Sequence, residues 1–173
     1  MMKRFALLLT GIALVSGCSD ASTSAQSRDL ETLRQITAPF RTFSSATSAG
    51  WSTQITQCMA DSAAGGMGDH YGNTALIDGS VAVNEPELLL YEPQADGSKE
   101  LVAVEYIVPY TAHARSDVPP ELFGQKFKQN DTFQLWGLHV WAWKSNPSGL
   151  YADWNPRVNC DNASEGTPPS VHH

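Results

Sequence analysis

The first pattern along the chain is helical. In RDLETLRQITAPFRTF, Arg28 to Phe43, the apolar residues Leu30, Leu33, Ile36 and Ala38 recur at helical spacing, and Asp29 and Glu31 suit a first turn. Pro39 kinks or stops that helix, and Phe40 and Phe43 resume its face. Ser44 to Gly50 reads as a loop. Trp51 to Ala60 is ambiguous, with Trp51, Ile55, Cys58 and Met59 fitting one helical face. The next stretch, AAGGMGDHYGN, carries glycines at 65, 66, 68 and 72. So many glycines predict a shaped loop, and neither a regular helix nor a buried central strand.

The middle of the chain changes period. ELLLYE, Glu87 to Glu92, and LVAVEYIVPY, Leu101 to Tyr110, are apolar and β-rich, and Asp96-Gly97 between them is a turn signal. They predict an antiparallel hairpin. A third strand is expected over Thr132 to Lys144, TFQLWGLHVWAWK. One face would carry Phe133, Leu135, Gly137, His139, Trp141 and Trp143. The other would carry Gln134, Trp136, Leu138, Val140 and Ala142; both faces are largely apolar, so the strand is expected to be central or covered on both sides. SDVPPELFGQKF predicts a short helix starting at the second proline. The expected fold is α+β: a small antiparallel sheet packed against one or two helices.

The start of the chain reads as an address. Lys3 and Arg4 precede an apolar run from Phe5 to Val15, too short to span a bilayer as a permanent helix. It fits a secretory signal. Val15-Ser16-Gly17-Cys18 resembles the lipobox of bacterial lipoproteins, which implies acylation of Cys18 after removal of residues 1–17. A plain signal peptide cut near Ala21 or Ala25 is the alternative. The resemblance implies an exported protein held in the bacterial cell envelope by a lipid, with Ser19 favouring an outer membrane facing the periplasm. Residues 18–28, polar and small, are expected to be a flexible tether. Residues 29–160 form the expected single globular domain, and residues 161–173 a disordered tail ending in His172 and His173.

Charge narrows the partners. The formal net charge is -7, from 11 basic and 18 acidic residues. Without residues 1–17 it becomes -9, because Lys3 and Arg4 are lost. No basic stripe remains to neutralise phosphates, which argues against nucleic acid and against a polybasic membrane surface. With Cys18 assigned to the anchor, Cys58 and Cys160 remain. In an oxidising compartment they are expected to pair, closing a loop worth roughly 4–5 kcal/mol in the ideal chain-entropy treatment. A metal pair or a catalytic thiol with a histidine base are the alternatives.

Four residues stand out as ligand or metal candidates. His70 lies among the glycines, either in a tight exposed connection or close to a ligand. His139 lies amid Trp136, Trp141 and Trp143, either as a hydrogen-bonded core histidine or facing a cavity. Glu105 shares a strand face with Leu101, Ala103 and Ile107, and Glu87 opens the first hairpin strand. Carboxylates are rarely buried unless paired. Two histidines and one carboxylate suit zinc or another divalent transition metal with open positions. The spacing matches neither H-x-H nor H-E-x-x-H. Tyr71, Trp141, Trp143 and Trp154 are cleft-lining candidates, or cover for a small core.

The segments Gly66-Met67-Gly68-x-His70-Tyr71 and Trp141-Ala142-Trp143-Lys144-x-Asn146-Pro147-x-Gly149 resemble an uncharacterised family of small bacterial secreted proteins. The resemblance implies one domain over roughly residues 55–160 and no particular activity. Three readings of function follow: an envelope lipoprotein binding a small ligand or transition metal without catalysis, a metal-assisted hydrolase or oxygenase using His70 and His139, or a structural or interaction module. A serine hydrolase is disfavoured, because no G-x-S-x-G occurs.

Overall fold

The structure is a computed structural model that describes residues 19–163, with side chains from residue 23. Cys18, the segment before it and His172–His173 lie outside the described residues. The described residues form two α-helices and a curled, six-stranded antiparallel sheet. The helices are α1 (Ser19–Thr37) and α2 (Phe43–Ser48), joined through a 3-10 turn, Ala38–Arg41, that has Pro39 in its first positions. The strands of the large sheet are β1 (Thr53–Asp61), β2 (Gly65–Gly72), β3 (Leu88–Pro93), β4 (Lys99–Pro109), β7 (Lys128–Asn130) and β8 (Leu135–Val140). Their order is β1-β2-β3-β4-β8-β7. Two short strands, β5 (Glu121–Leu122) and β6 (Gln125–Lys126), pair separately.

The expected hairpin is present: Leu88 pairs with Glu105, Leu89 with Val104 and Leu90 with Ala103. β8 adds to its other side, with Glu105 opposite His139 and Ile107 opposite Gly137. Period-two alternation then sorts the side chains. Leu89, Tyr91, Val104, Tyr106, Val108, Trp136, Leu138 and Val140 join the larger core, which also takes in Leu33 of α1. Leu88, Leu90, Ala103 and Ile107 line the opposite face with Trp141 and Val158. Polar links run between the helical segment and the sheet side of the molecule. Arg34 Nε donates to the Ala142 carbonyl at 2.9 Å, Tyr91 Oη to the Phe40 carbonyl at 2.6 Å, and Trp143 Nε1 to Thr37 Oγ1 at 3.0 Å.

Four local expectations are corrected, and the ambiguity at Trp51 to Ala60 is resolved. Ser44 to Gly50 is not simply a loop, because α2 covers it as far as Ser48. The glycine-rich stretch is not a loop; it is β2, and residues 66–72 are buried. Glycine serves close approach here: Gly68 has φ +94°, and a Cβ on it would lie 2.7 Å from the Tyr91 carbonyl oxygen of β3. Trp51 to Ala60 is not helical. Trp51 is buried with its Nε1 donating to the Pro86 carbonyl at 3.0 Å, and β1 follows. The short helix after Pro120 is instead the β5–β6 hairpin. Phe123 and Gly124 have φ +54° and +65°, the left-handed pair of a two-residue hairpin turn. The third strand starts at Leu135, because 131–134 turn between β7 and β8.

The helix also reaches back to Ser19, through residues expected to be a tether. Extending an existing helix adds one hydrogen bond per residue fixed and needs no new nucleus. Gln26 Nε2 ties this stretch to the Phe123 carbonyl at 2.8 Å. At the other end, Cys58 and Cys160 form a disulfide with Cα atoms 5.6 Å apart, joining β1 to the C-terminal segment. Among the described residues, no helix is long and apolar enough to cross a membrane.

Candidate metal centre

Strand register brings three of the four candidates together. Glu105 on β4 lies between Leu88 of β3 and His139 of β8 in one transverse row. Gly72 of β2 completes that row opposite Leu88, and His70 lies two residues along on the same face of β2. The curl of the sheet lets His70 reach Glu105 across β3. His70 Nε2 is 3.5 Å from Glu105 Oε2, and His139 Nδ1 is 3.7 Å from Glu105 Oε1. One ligand atom from each of the three lies within 4.8 Å of the others. The two imidazoles meet edge to face, with centroids 5.8 Å apart. All three residues are buried.

Glu87 goes elsewhere. One residue before Leu88, it points to the other face of β3, and its Oε2 accepts the Ile107 backbone N–H at 3.1 Å. It borders a small polar recess with Asp78, Ser80 and Glu85. Alternation therefore selects Glu105 over Glu87.

Neighbours orient each group. The Thr56 hydroxyl and His70 Nδ1 share a hydrogen bond at 2.8 Å, which leaves Nε2 facing Glu105. Holding the second ring nitrogen in this way is how ligating histidines are commonly fixed. His139 stacks on Trp141 at a centroid distance of 6.5 Å. Its Nε2 is buried without a hydrogen-bond partner, which is costly for a core histidine. Gly137 makes room for the carboxylate: a Cβ there would stand 2.9 Å from Glu105 Oε1. Sequence reasoning missed Thr56 and also Asp153, whose Oδ1 is 3.8 Å from His139 Nδ1 and 2.7 Å from Lys128 Nζ. Asp153 lies in irregular chain far from His139 in sequence, and no local spacing marks it.

Electrostatics follow from burial. Burial holds both imidazoles far below 6.5, at about 3; His139 adds to the effect on His70, opposed by a Gly68 backbone hydrogen bond, and Lys128 adds to it on His139. Burial pushes the Glu105 carboxyl up to about 8, helped by the charges of Asp153 and Glu87. At neutral pH the imidazoles are neutral, as metal ligation requires, and the carboxyl holds a proton that a cation must displace.

Two recesses meet at this cluster. One, of about 70 Å³, is mostly apolar and runs between Ile55, Met59, Leu88 and Phe133. The other, of about 110 Å³, is of mixed polarity, with Lys128, Gln129 and Asp153 in its wall. Met67, Glu105, Asn130 and His139 border both. Of the aromatic candidates, Trp154 lines the second recess and Trp141 backs His139. Trp143 faces Thr37 and Arg41, while Tyr71 packs against Phe43 and Tyr91, away from the cluster. No protein family, curated protein or solved structure matches the chain.

Proposed function

We propose that the chain is an exported, lipid-anchored protein of the bacterial cell envelope that binds one divalent transition metal through His70, Glu105 and His139. The observation that carries the metal is the convergence of three buried ligand atoms within 4.8 Å of one another, from three different strands. Zinc at about 2.0–2.1 Å from each donor would place any two no more than about 4.2 Å apart. In tetrahedral geometry two such donors stand about 3.3–3.4 Å apart, so a pair at the full 4.8 Å must draw in by about 1.4 Å, through side-chain torsions. Two imidazoles and a carboxylate suit zinc or ferrous iron and leave coordination positions open. The Cys58–Cys160 disulfide supports an oxidising compartment, and Val15-Ser16-Gly17-Cys18 supports the anchor.

Metal-assisted hydrolysis or oxygenation is the second reading. Asp153 favours it, as a carboxylate beside the ligand set that is able to accept a proton from a bound substrate. The test of binding is elemental analysis of untagged protein with His172 and His173 replaced by alanine. One equivalent of metal, lost in His70→Ala and His139→Ala proteins that keep the wild-type circular dichroism, supports the centre. Retention of the metal in both variants overturns it.

A further inference from the structure

The recess beside the metal ligands defines what else the centre holds. Resting on the metal reading above, we propose that its open side takes a small monoanion with an apolar body, of which a short-chain carboxylic acid is the simplest example. Charge sets the head group. A divalent ion with two neutral imidazoles and one carboxylate keeps one positive charge in a buried site, and an unneutralised buried charge is costly. Asp153 does not supply the balance, because it is paired with Lys128 at 2.7 Å. One monoanion at the open side neutralises the centre.

The walls set the body. Away from the ligands, the recess is bounded by Ile55, Met59, Leu88, Ile107, Phe133 and Leu135, with Thr56 and Asn130 as its other polar residues. Thr56 is already engaged with His70 Nδ1. A second polar group at the far end of a ligand would lose water and meet apolar walls. A volume of about 70 Å³ accommodates about five or six heavy atoms at one water-sized probe per 10–15 Å³. Ile55 and Phe133 are 41% and 42% exposed, two of the three large apolar side chains so exposed among the described residues, and they border this same recess. Such residues at a recess edge mark where an apolar body enters.

The probe is cobalt(II), whose visible absorption reports its ligands, followed by titration with acetate, butanoate, hexanoate, octanoate and succinate. The expected affinity rises by about fourfold per methylene up to hexanoate and then levels off, while succinate binds more weakly than butanoate. Phe133→Ser should flatten the chain-length dependence, with its cobalt spectrum before acid addition reporting the metal separately. Cobalt binding with equal affinity for every acid, or tighter succinate binding, overturns the apolar-bodied ligand and leaves the metal centre standing. Absence of any cobalt spectrum overturns the metal reading, and the charge argument for the ligand falls with it.

Discussion

Replacing Gly137 with alanine separates the site from the fold. Gly137 sits on β8 opposite Ile107, and the added methyl would lie 2.9 Å from Glu105 Oε1. The next nearest heavy atom, Leu135 Cδ1, is 3.6 Å away, an ordinary contact. The only atom that must yield is the end of a flexible side chain, so the strand itself need not move. Ordinary contact at about 3.4 Å requires a carboxylate shift of roughly 0.5 Å, more than twice the tolerance of about 0.2 Å on a metal–ligand distance. Alanine in place of glycine also reduces unfolded-chain entropy, worth about 0.4–1 kcal/mol where the backbone allows it. The expected outcome is a thermal midpoint within a few degrees of wild type and metal affinity lowered by about 10–100-fold, the scale seen when ligand positioning is lost. Competition against a chromophoric chelator measures the affinity, and calorimetry the midpoint. Wild-type affinity in a folded Gly137→Ala protein would refute the placement of Glu105 among the ligands. Loss of folding would refute the claim that only the carboxylate is displaced.

Glu105→Gln should lower metal affinity by at least tenfold while Glu87→Gln leaves it within about twofold, measured by the same competition; equal losses would contradict the separation of the two carboxylates by strand alternation. Metal affinity should rise by about tenfold per pH unit up to roughly pH 8, because the proton displaced is that of Glu105 and not of an imidazole; a titration midpoint near 6.5 would instead implicate the histidines. For the metal-free protein, His70 and His139 have folded values of about 3, below the ordinary 6.5, so the unfolded chain binds more protons between pH 6.5 and 3 and stability falls as acid is added. Glu87 and Glu105, raised from 4.5 to about 8, make stability fall as pH rises from 4.5 to 8. The opposing slopes cancel between pH 4.5 and 6.5, where urea midpoints should be highest, and a midpoint still climbing from pH 6.5 to 8 would disprove this balance. Cys18→Ser should release the protein from membranes in cell fractionation, and a wild-type protein free of acyl chains by mass spectrometry would exclude the anchor.

The hairpin of β3 and β4 was legible because its arms are continuous β-rich runs flanking Asp96-Gly97, and its pairing needs no distant partner. β2 was not. Its glycines weaken any strand signal, and their purpose, admitting the Tyr91 backbone beside Gly68, exists only once β3 is in place. The β5–β6 hairpin was hidden for a related reason: Phe123 is an unusual residue for a left-handed turn position, held there as a buried side chain beside Tyr106 and Tyr151. The residue types of the candidate centre were readable as polar groups set in apolar or glycine-rich text. The choice between Glu87 and Glu105 required register. Thr56 and Asp153 became visible only through contacts across the sheet and from the C-terminal segment.

The central claim is that His70, Glu105 and His139 share one ion. Its most direct measurement is anomalous diffraction at the zinc edge from crystals of zinc-loaded protein carrying His172→Ala and His173→Ala. The expected result is a single strong peak at about 2.0–2.1 Å from an imidazole nitrogen of each histidine and from a carboxylate oxygen of Glu105. Density between the three side chains without anomalous signal, or a peak bound by other residues while this cluster stays metal-free, would contradict it.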